Sequence, residues 1–222
     1  GGLGGRSSKG QTSKKVVKIE AIHDVWLLKG DDKDISVVTD PEEAGFTAAS
    51  SDPSVVEAVY QLRETGEKII TVTGLAVGSA TVTIDVYQDG YKDATETFTV
   101  TVLQTIEVVE NETVKFESAG GLELDHLPGG AKIGATLVEV KGVEAAGPIV
   151  NIIYDGVVPE DGVVVRLPVQ TENAGLYFYN EDDGTWELQE GSKIVEIDGQ
   201  RFDLRRTGEH GGSDREQHQT YR

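Results

Sequence analysis

Two segments of this chain alternate strictly between apolar and hydroxyl-bearing residues, and that period limits the fold more than any other feature. In "ATVTIDVY" (80–87), Val82, Ile84 and Val86 alternate with Thr81, Thr83 and Asp85. In "TETFTVTV" (95–102), Phe98, Val100 and Val102 alternate with Thr97, Thr99 and Thr101. A period of two places successive side chains on opposite faces of extended backbone, so each segment predicts a strand with one dry and one wet face. Threonine suits the wet face because its branched Cβ favours extended backbone while its hydroxyl meets water. Shorter strand-like runs precede them: "VVKIEAI" (16–22), "VWLLKG" (25–30), "DISVVTD" (35–40 with Asp34) and "EKIITVTGL" (67–75). No stretch carries the 3.6-residue period of a helix. Many short strands divided by turn residues predict an all-β chain built from sandwiches. With 222 residues there is length for two such domains, each able to bury a core without the disulfides that a cysteine-free chain lacks.

Three pieces of the first half stand in a characteristic order. A Ser-Ser-Asp-Pro-Ser turn (50–54) precedes "VVEAV"; "GLAVGSATVTIDV" (74–86) follows; "TFTVTV" (97–102) closes. This arrangement resembles the bacterial Ig-like domains of group 2 over about residues 16–103. The resemblance implies an Ig-like β-sandwich and carries no catalytic residues. Such domains occur in bacterial surface proteins, intimin-like adhesins, S-layer-associated proteins and phage virion proteins. The residues themselves agree, since Gly74 and Gly78 suit a tight corner between strands.

The second half predicts another β-sandwich-like domain over 104–204. "GPIVNIIYDG" and "DGVVVRLPV" are β-branched runs bounded by Gly and Pro. "AGLYFYNEDDGTWELQEG" reads as a hairpin, with Tyr177 and Tyr179 outgoing, a polar turn, and Trp186 returning. The region loosely resembles β-rich modules that follow Ig-like repeats in surface proteins. Residues 1–15 are rich in Gly, Ser and Lys and predict a flexible basic arm; residues 205–222 predict a flexible polar tail. Methionine is absent even at position 1, which points to a trimmed or mature product.

Charge narrows the partners. The chain carries −19 overall, but residues 1–18 hold five cations and no acid, whereas 19–199 hold ten cations against 35 acids. So acidic a body repels nucleic acid and anionic membranes. No apolar run approaches the roughly 18 residues of a membrane span, so no membrane insertion is expected.

Candidate chemistry is sparse, and no catalytic residue is expected. Cysteine is absent, no Gly-x-Ser-x-Gly elbow occurs, and His23, His126, His210 and His218 are scattered. His210 and His218 lie eight apart, outside zinc-ligand spacing. Two acidic turns, "GDDKD" (Asp31, Asp32, Asp34) and "YNEDDG" (Asp182, Asp183), have the oxygen-rich composition that calcium takes, without EF-hand spacing. Both also read as plain solvated hairpin ends; beyond calcium, no cofactor is expected. Tyr177, Tyr179 and Trp186 are the candidate binding residues, which with Trp26 would form a stacking platform for sugars; aromatics in a hairpin also read as cross-strand core or rim.

The expected role is therefore a non-enzymatic extracellular structural or adhesive protein at the cell surface. It would build an array or filament by self-association or with other surface proteins. Residues 14–22, with Lys14, Lys15, Val16, Val17 and Ile19, are expected to add as a strand to a neighbour's sheet edge. Two alternatives follow from the same features: a carbohydrate- or receptor-binding module, and a phage virion decoration protein.

Overall fold

A computed structural model describes residues 14–142, 144–160, 162–171, 174–180, 185–188, 193–197, 200–207 and 215–221; beyond residue 177 it describes side chains only at 187 and 188. The chain divides into two compact units, Gly1–Val102 and Leu103–Arg222. Among the described residues the regular structure is all strand apart from one 3-10 turn, Glu117–Ala119.

In the first unit the strands are β1 Lys18–Ile19, β2 Val25–Leu28, β3 Asp32–Ser36, β4 Thr39–Asp40, β5 Gly45–Ser50, β6 Val56–Leu62, β7 Lys68–Gly74, β8 Gly78–Tyr87 and β9 Ala94–Leu103. They form a four-stranded sheet β2-β9-β8-β5, a three-stranded sheet β3-β7-β6 and a small β1-β4 ribbon. The chain crosses between the two main sheets at β2–β3, β5–β6 and β7–β8, as in the Greek-key order of Ig-like sandwiches. The alternation in β8 and β9 does what its period requires. Val82, Ile84, Val86, Phe98, Val100 and Val102 enter one core with Val56, Ile70 and Val72 from the other sheet. On the opposite face Thr81 pairs with Thr99 and Thr83 with Thr97. Thr95 Oγ1 donates to Asp85 Oδ1 at 2.8 Å, and the Ser79 and Thr101 hydroxyls lie 3.1 Å apart.

Two of the motif pieces prove to be one joint. In the Ser-Asp-Pro turn, Asp52 Oδ1 accepts from Ser54 N at 3.1 Å, and Asp52 O accepts from Val55 N and Val56 N at 3.0 Å. Val55 O in turn accepts from Leu75 N at 2.8 Å and Ala76 N at 3.3 Å, tying the turn to the glycine-punctuated loop. Gly74 lies so close to β9 that a Cβ there would stand 3.0 Å from the Val102 side chain, and Gly78 turns the chain at φ 146°.

The second unit holds β10 Ile106–Glu107, β11 Val114–Phe116, β12 Leu122–Asp125, β13 Lys132–Leu137, β14 Val150–Asp155, β15 Val163–Pro168, β16 Leu176–Asn180, β17 Thr185–Leu188, β18 Lys193–Ile197, β19 Gln200–Thr207 and β20 Arg215–Tyr221. A six-stranded sheet β10-β13-β14-β20-β16-β17 faces a five-stranded sheet β11-β12-β15-β19-β18. Leu122, Leu124, Val163, Val165 and Leu167 from one sheet meet Ile133, Val150, Ile152 and Leu176 from the other in a single core. The unit is thus a second two-layer sandwich.

Segments near both chain ends pair with strands of their own unit. The segment expected as a polar tail over 205–222 contains the end of β19 and, at 215–221, a strand seated between β14 and β16. Backbone hydrogen bonding on both sides holds such a strand. "REQHQTY" has no apolar alternation, so a search for dry and wet faces passes over it. The segment expected to pair with a neighbour is occupied within its own chain. Lys15 O accepts from Lys92 N at 2.8 Å, Val17 N donates to Lys92 O at 3.0 Å, and Val16 forms an isolated parallel bridge with Lys92. Lys18 and Ile19 pair with Asp40 and Thr39, and Val17 is buried in the first core. Lys14 and Lys15 remain exposed. Burying Val17 and satisfying these backbone groups locally removes the drive to donate the segment elsewhere.

Candidate functional site

The hairpin β16–β17 lies at one border of the six-stranded sheet, with β17 outermost. Its register is Tyr177 with Leu188, Phe178 with Glu187, Tyr179 with Trp186 and Asn180 with Thr185. Directly paired residues share a face of an antiparallel ladder. Leu176 is fully buried in the core, so the alternation assigns Leu176 and Phe178 to the inner face. Tyr177, Tyr179, Trp186 and Leu188 take register positions on the outer face. The side chains described there agree, with Leu188 55% exposed and Tyr177 half-buried. Gly175, just before β16, leaves room for this pair. A Cβ at that position would come within 3.0 Å of Leu188 Cδ1 and 3.4 Å of the Tyr177 ring.

The face continues into β20, where Tyr177 pairs with Thr220 and Tyr179 with His218, and from there to Asn151 of β14. Register position thus yields a cross-strand row running Trp186, Tyr179, His218, Asn151, and the open part of the face ends before Asn151, which is fully buried. A row of aromatic residues is what a ligand with an apolar ring face requires. The three aromatic residues singled out from sequence occupy neighbouring register positions on β16 and β17. Leu188 and the row's extension into β20 were not foreseen, because they depend on register rather than on residue type.

The other sequence candidates do not assemble. Asp34 is engaged across its own sheet: Oδ2 accepts from Arg63 at 2.6 Å and Oδ1 from the Thr71 hydroxyl at 2.7 Å. Asp31 belongs to the β2–β3 turn, where its backbone N donates to Leu28 O at 3.0 Å, and Asp32 is exposed on β3. Among the described residues no three His, Asp or Glu side chains gather as a metal site. Asp182 and Asp183 lie outside the described residues.

Sequence reasoning also missed a charged cluster on β12 and β15. Arg166 Nε donates to Glu123 Oε2 at 2.9 Å and its Nη1 donates to Asp125, which also accepts from the Thr113 hydroxyl. The Arg166 side chain is only 11% exposed. Burial works against the Asp125 carboxylate, but the hydrogen bonds from Thr113 and Arg166 and the nearby charges of Arg166 and His126 outweigh it and hold its pKa below the ordinary value. The same two carboxylates hold Arg166 firmly protonated against the cost of its burial. Only a lone arginine inside "VVVRLP" hints at this cluster in the sequence. With both carboxylates bonded to the guanidinium, it serves as structural support. A groove of about 560 Å³ between Glu144–Ala146 and Gln170–Thr171 carries one carboxylate and no aromatic ring.

Among the described residues no helix is long and apolar enough to cross a membrane. No family model matches the chain, and no curated protein does. Solved structures similar to it include the BIgI domain of beta protein from S. agalactiae bound to CEACAM1, at 21% identity over 40% of this chain and 97% of that one, with a TM-score of 0.28. Tandem Ig repeats of Dlar match at 10% identity over 91% of this chain and 93% of that one, TM-score 0.32. Domains 5–6 of the S-layer protein SbsC match at 13% identity over 88% and 85%, TM-score 0.31. Scores this low carry no weight for function; the assignment of the first unit as Ig-like stands on its strand order.

Proposed function

We propose that this chain is a non-enzymatic extracellular adhesive module whose second unit binds a glycan on the outer face of β16–β17. The first unit, by its motifs a bacterial Ig-like domain of group 2, serves as a spacer. The observation that carries this reading is the register that puts Tyr177, Tyr179 and Trp186 on the face opposite buried Leu176. Stacking needs the flat faces of the rings.

Glycan-array screening of the full chain tests it. Binding to at least one glycan class is expected, and Trp186→Ala should weaken it about tenfold, the loss of one aromatic contact worth roughly 1.4 kcal/mol. Thr97→Ala, on the hydroxyl face of the first unit, should leave binding unchanged. An array with no binder, or Trp186→Ala binding as well as the parent, would remove the proposal.

A further inference from the structure

The geometry points to a second surface, independent of the glycan reading: β6 of the first unit pairs edge to edge with β6 of a second copy of this chain. β6 is bonded to β7 along all seven residues, from Val56 opposite Gly74 to Leu62 opposite Lys68. Among the described residues no strand pairs with its other side. An edge of this length is a template for another strand unless something blunts it. The remaining edges of the unit are blunted. β3 carries Asp32, Lys33 and Asp34, β2 has four residues, and β5 opens on Gly45 beneath the Tyr87 ring. β6, "VEAVYQL", has no Pro, Lys or Gly. It also leaves Val59, Tyr60 and Leu62 at 42%, 40% and 62% exposure.

The sequence of β6 selects its own copy as occupant. An antiparallel pairing about a two-fold axis at Val59 uses all seven residues. It sets Val59 against Val59, Ala58 against Tyr60, Glu57 against Gln61 and Val56 against Leu62. Each pair joins residues of the same face, so both three-stranded sheets continue as one six-stranded sheet with the pleat in phase. No like charges oppose one another. Glu57 meets the Gln61 amide and lies diagonal to the other copy's Arg63, within reach of long side chains. This matters in a body so rich in acid, where most surfaces of two copies repel. Shifting the register by one residue would set inner-face against outer-face positions. Shifting by two shortens the ladder.

Seven paired residues make a small interface, so a dissociation constant in roughly the 10–100 µM range is expected. Sedimentation equilibrium of the full chain tests this. The parent should form a reversible dimer. Val59→Lys and Val59→Glu should each weaken it tenfold or more by placing like charges against each other on the axis. An equimolar mixture of the two variants should dimerise again, because the axis then holds opposite charges. A parent that stays monomeric up to about 1 mM, a dimer untouched by either variant, or a mixture that fails to recover would each overturn the proposal. The mixture makes the outcome independent of any loss of folding in one variant, since misfolded chains do not restore a dimer.

Discussion

Arg166→Met is expected to destabilise the second unit by about 3 kcal/mol, read as a lower urea midpoint at neutral pH. The guanidinium holds two carboxylates that lie on one face of β12, Glu123 at 2.9 Å and Asp125 through Nη1. The three side chains are only 11%, 16% and 23% exposed. Methionine keeps most of the apolar stem and removes the charge. The two carboxylates are then left side by side with little water, a larger loss than that of an exposed ion pair. Acidity changes the size of the effect. The Asp125 carboxyl is held below its ordinary pKa, so its contribution is complete above the unfolded value of about 3.9 and fades as pH falls through the folded value. In the variant the uncompensated carboxylates become neutral more readily, and protonation relieves them. The difference between parent and variant should therefore begin to shrink above the ordinary carboxylate pKa of about 4 and go on shrinking as pH falls through it. A gap of equal size at pH 3 and pH 7 would mean that Arg166 acts through packing alone.

Ile84→Ala should cost the first unit about 3 kcal/mol, which for a domain of this size lowers its melting temperature by about 15 °C. Ile84 sits fully buried at the middle of β8, facing a core that belongs to that unit. Removing its branch leaves a cavity in a layer where Val82 and Val86 flank it and Phe98 and Val100 lie on the adjoining strand. The neighbouring Thr83→Ala, one position along on the wet face, should change stability by no more than about 0.5 kcal/mol. Because the second unit has its own core, calorimetry should show the loss confined to the transition of the first unit. Equal effects at 83 and 84 would contradict the assignment of the two faces.

What was legible in the sequence followed from burial. β8 and β9 announce themselves because one face of each is dry, and apolar alternation records dryness. The Ser-Asp-Pro turn and the Gly74–Gly78 loop are visible because their backbone demands particular residues. The hairpin with Tyr177, Tyr179 and Trp186 was visible as a hairpin, yet its outer face became assignable only once Leu176 was seen to be buried. β20 was illegible because its place depends on backbone pairing rather than on apolar residues. The first strand-forming residues were visible, but their partner was not. Nothing local distinguishes a segment that pairs with Lys92 of its own chain from one that pairs with another chain. Arg166 and its carboxylates come from segments about forty residues apart, a proximity that only topology supplies.

The threonine ladder on β8 and β9 bears on how such a body meets others of its kind. Flat two-layer proteins can pile up sheet upon sheet or join side by side. Piling up would strip water from a lawn of hydroxyls and offer little in exchange, since neighbours such as Thr95 and Asp85, or Ser79 and Thr101, already satisfy one another. Dehydration thus discourages growth in thickness and leaves lateral joining as the cheaper route.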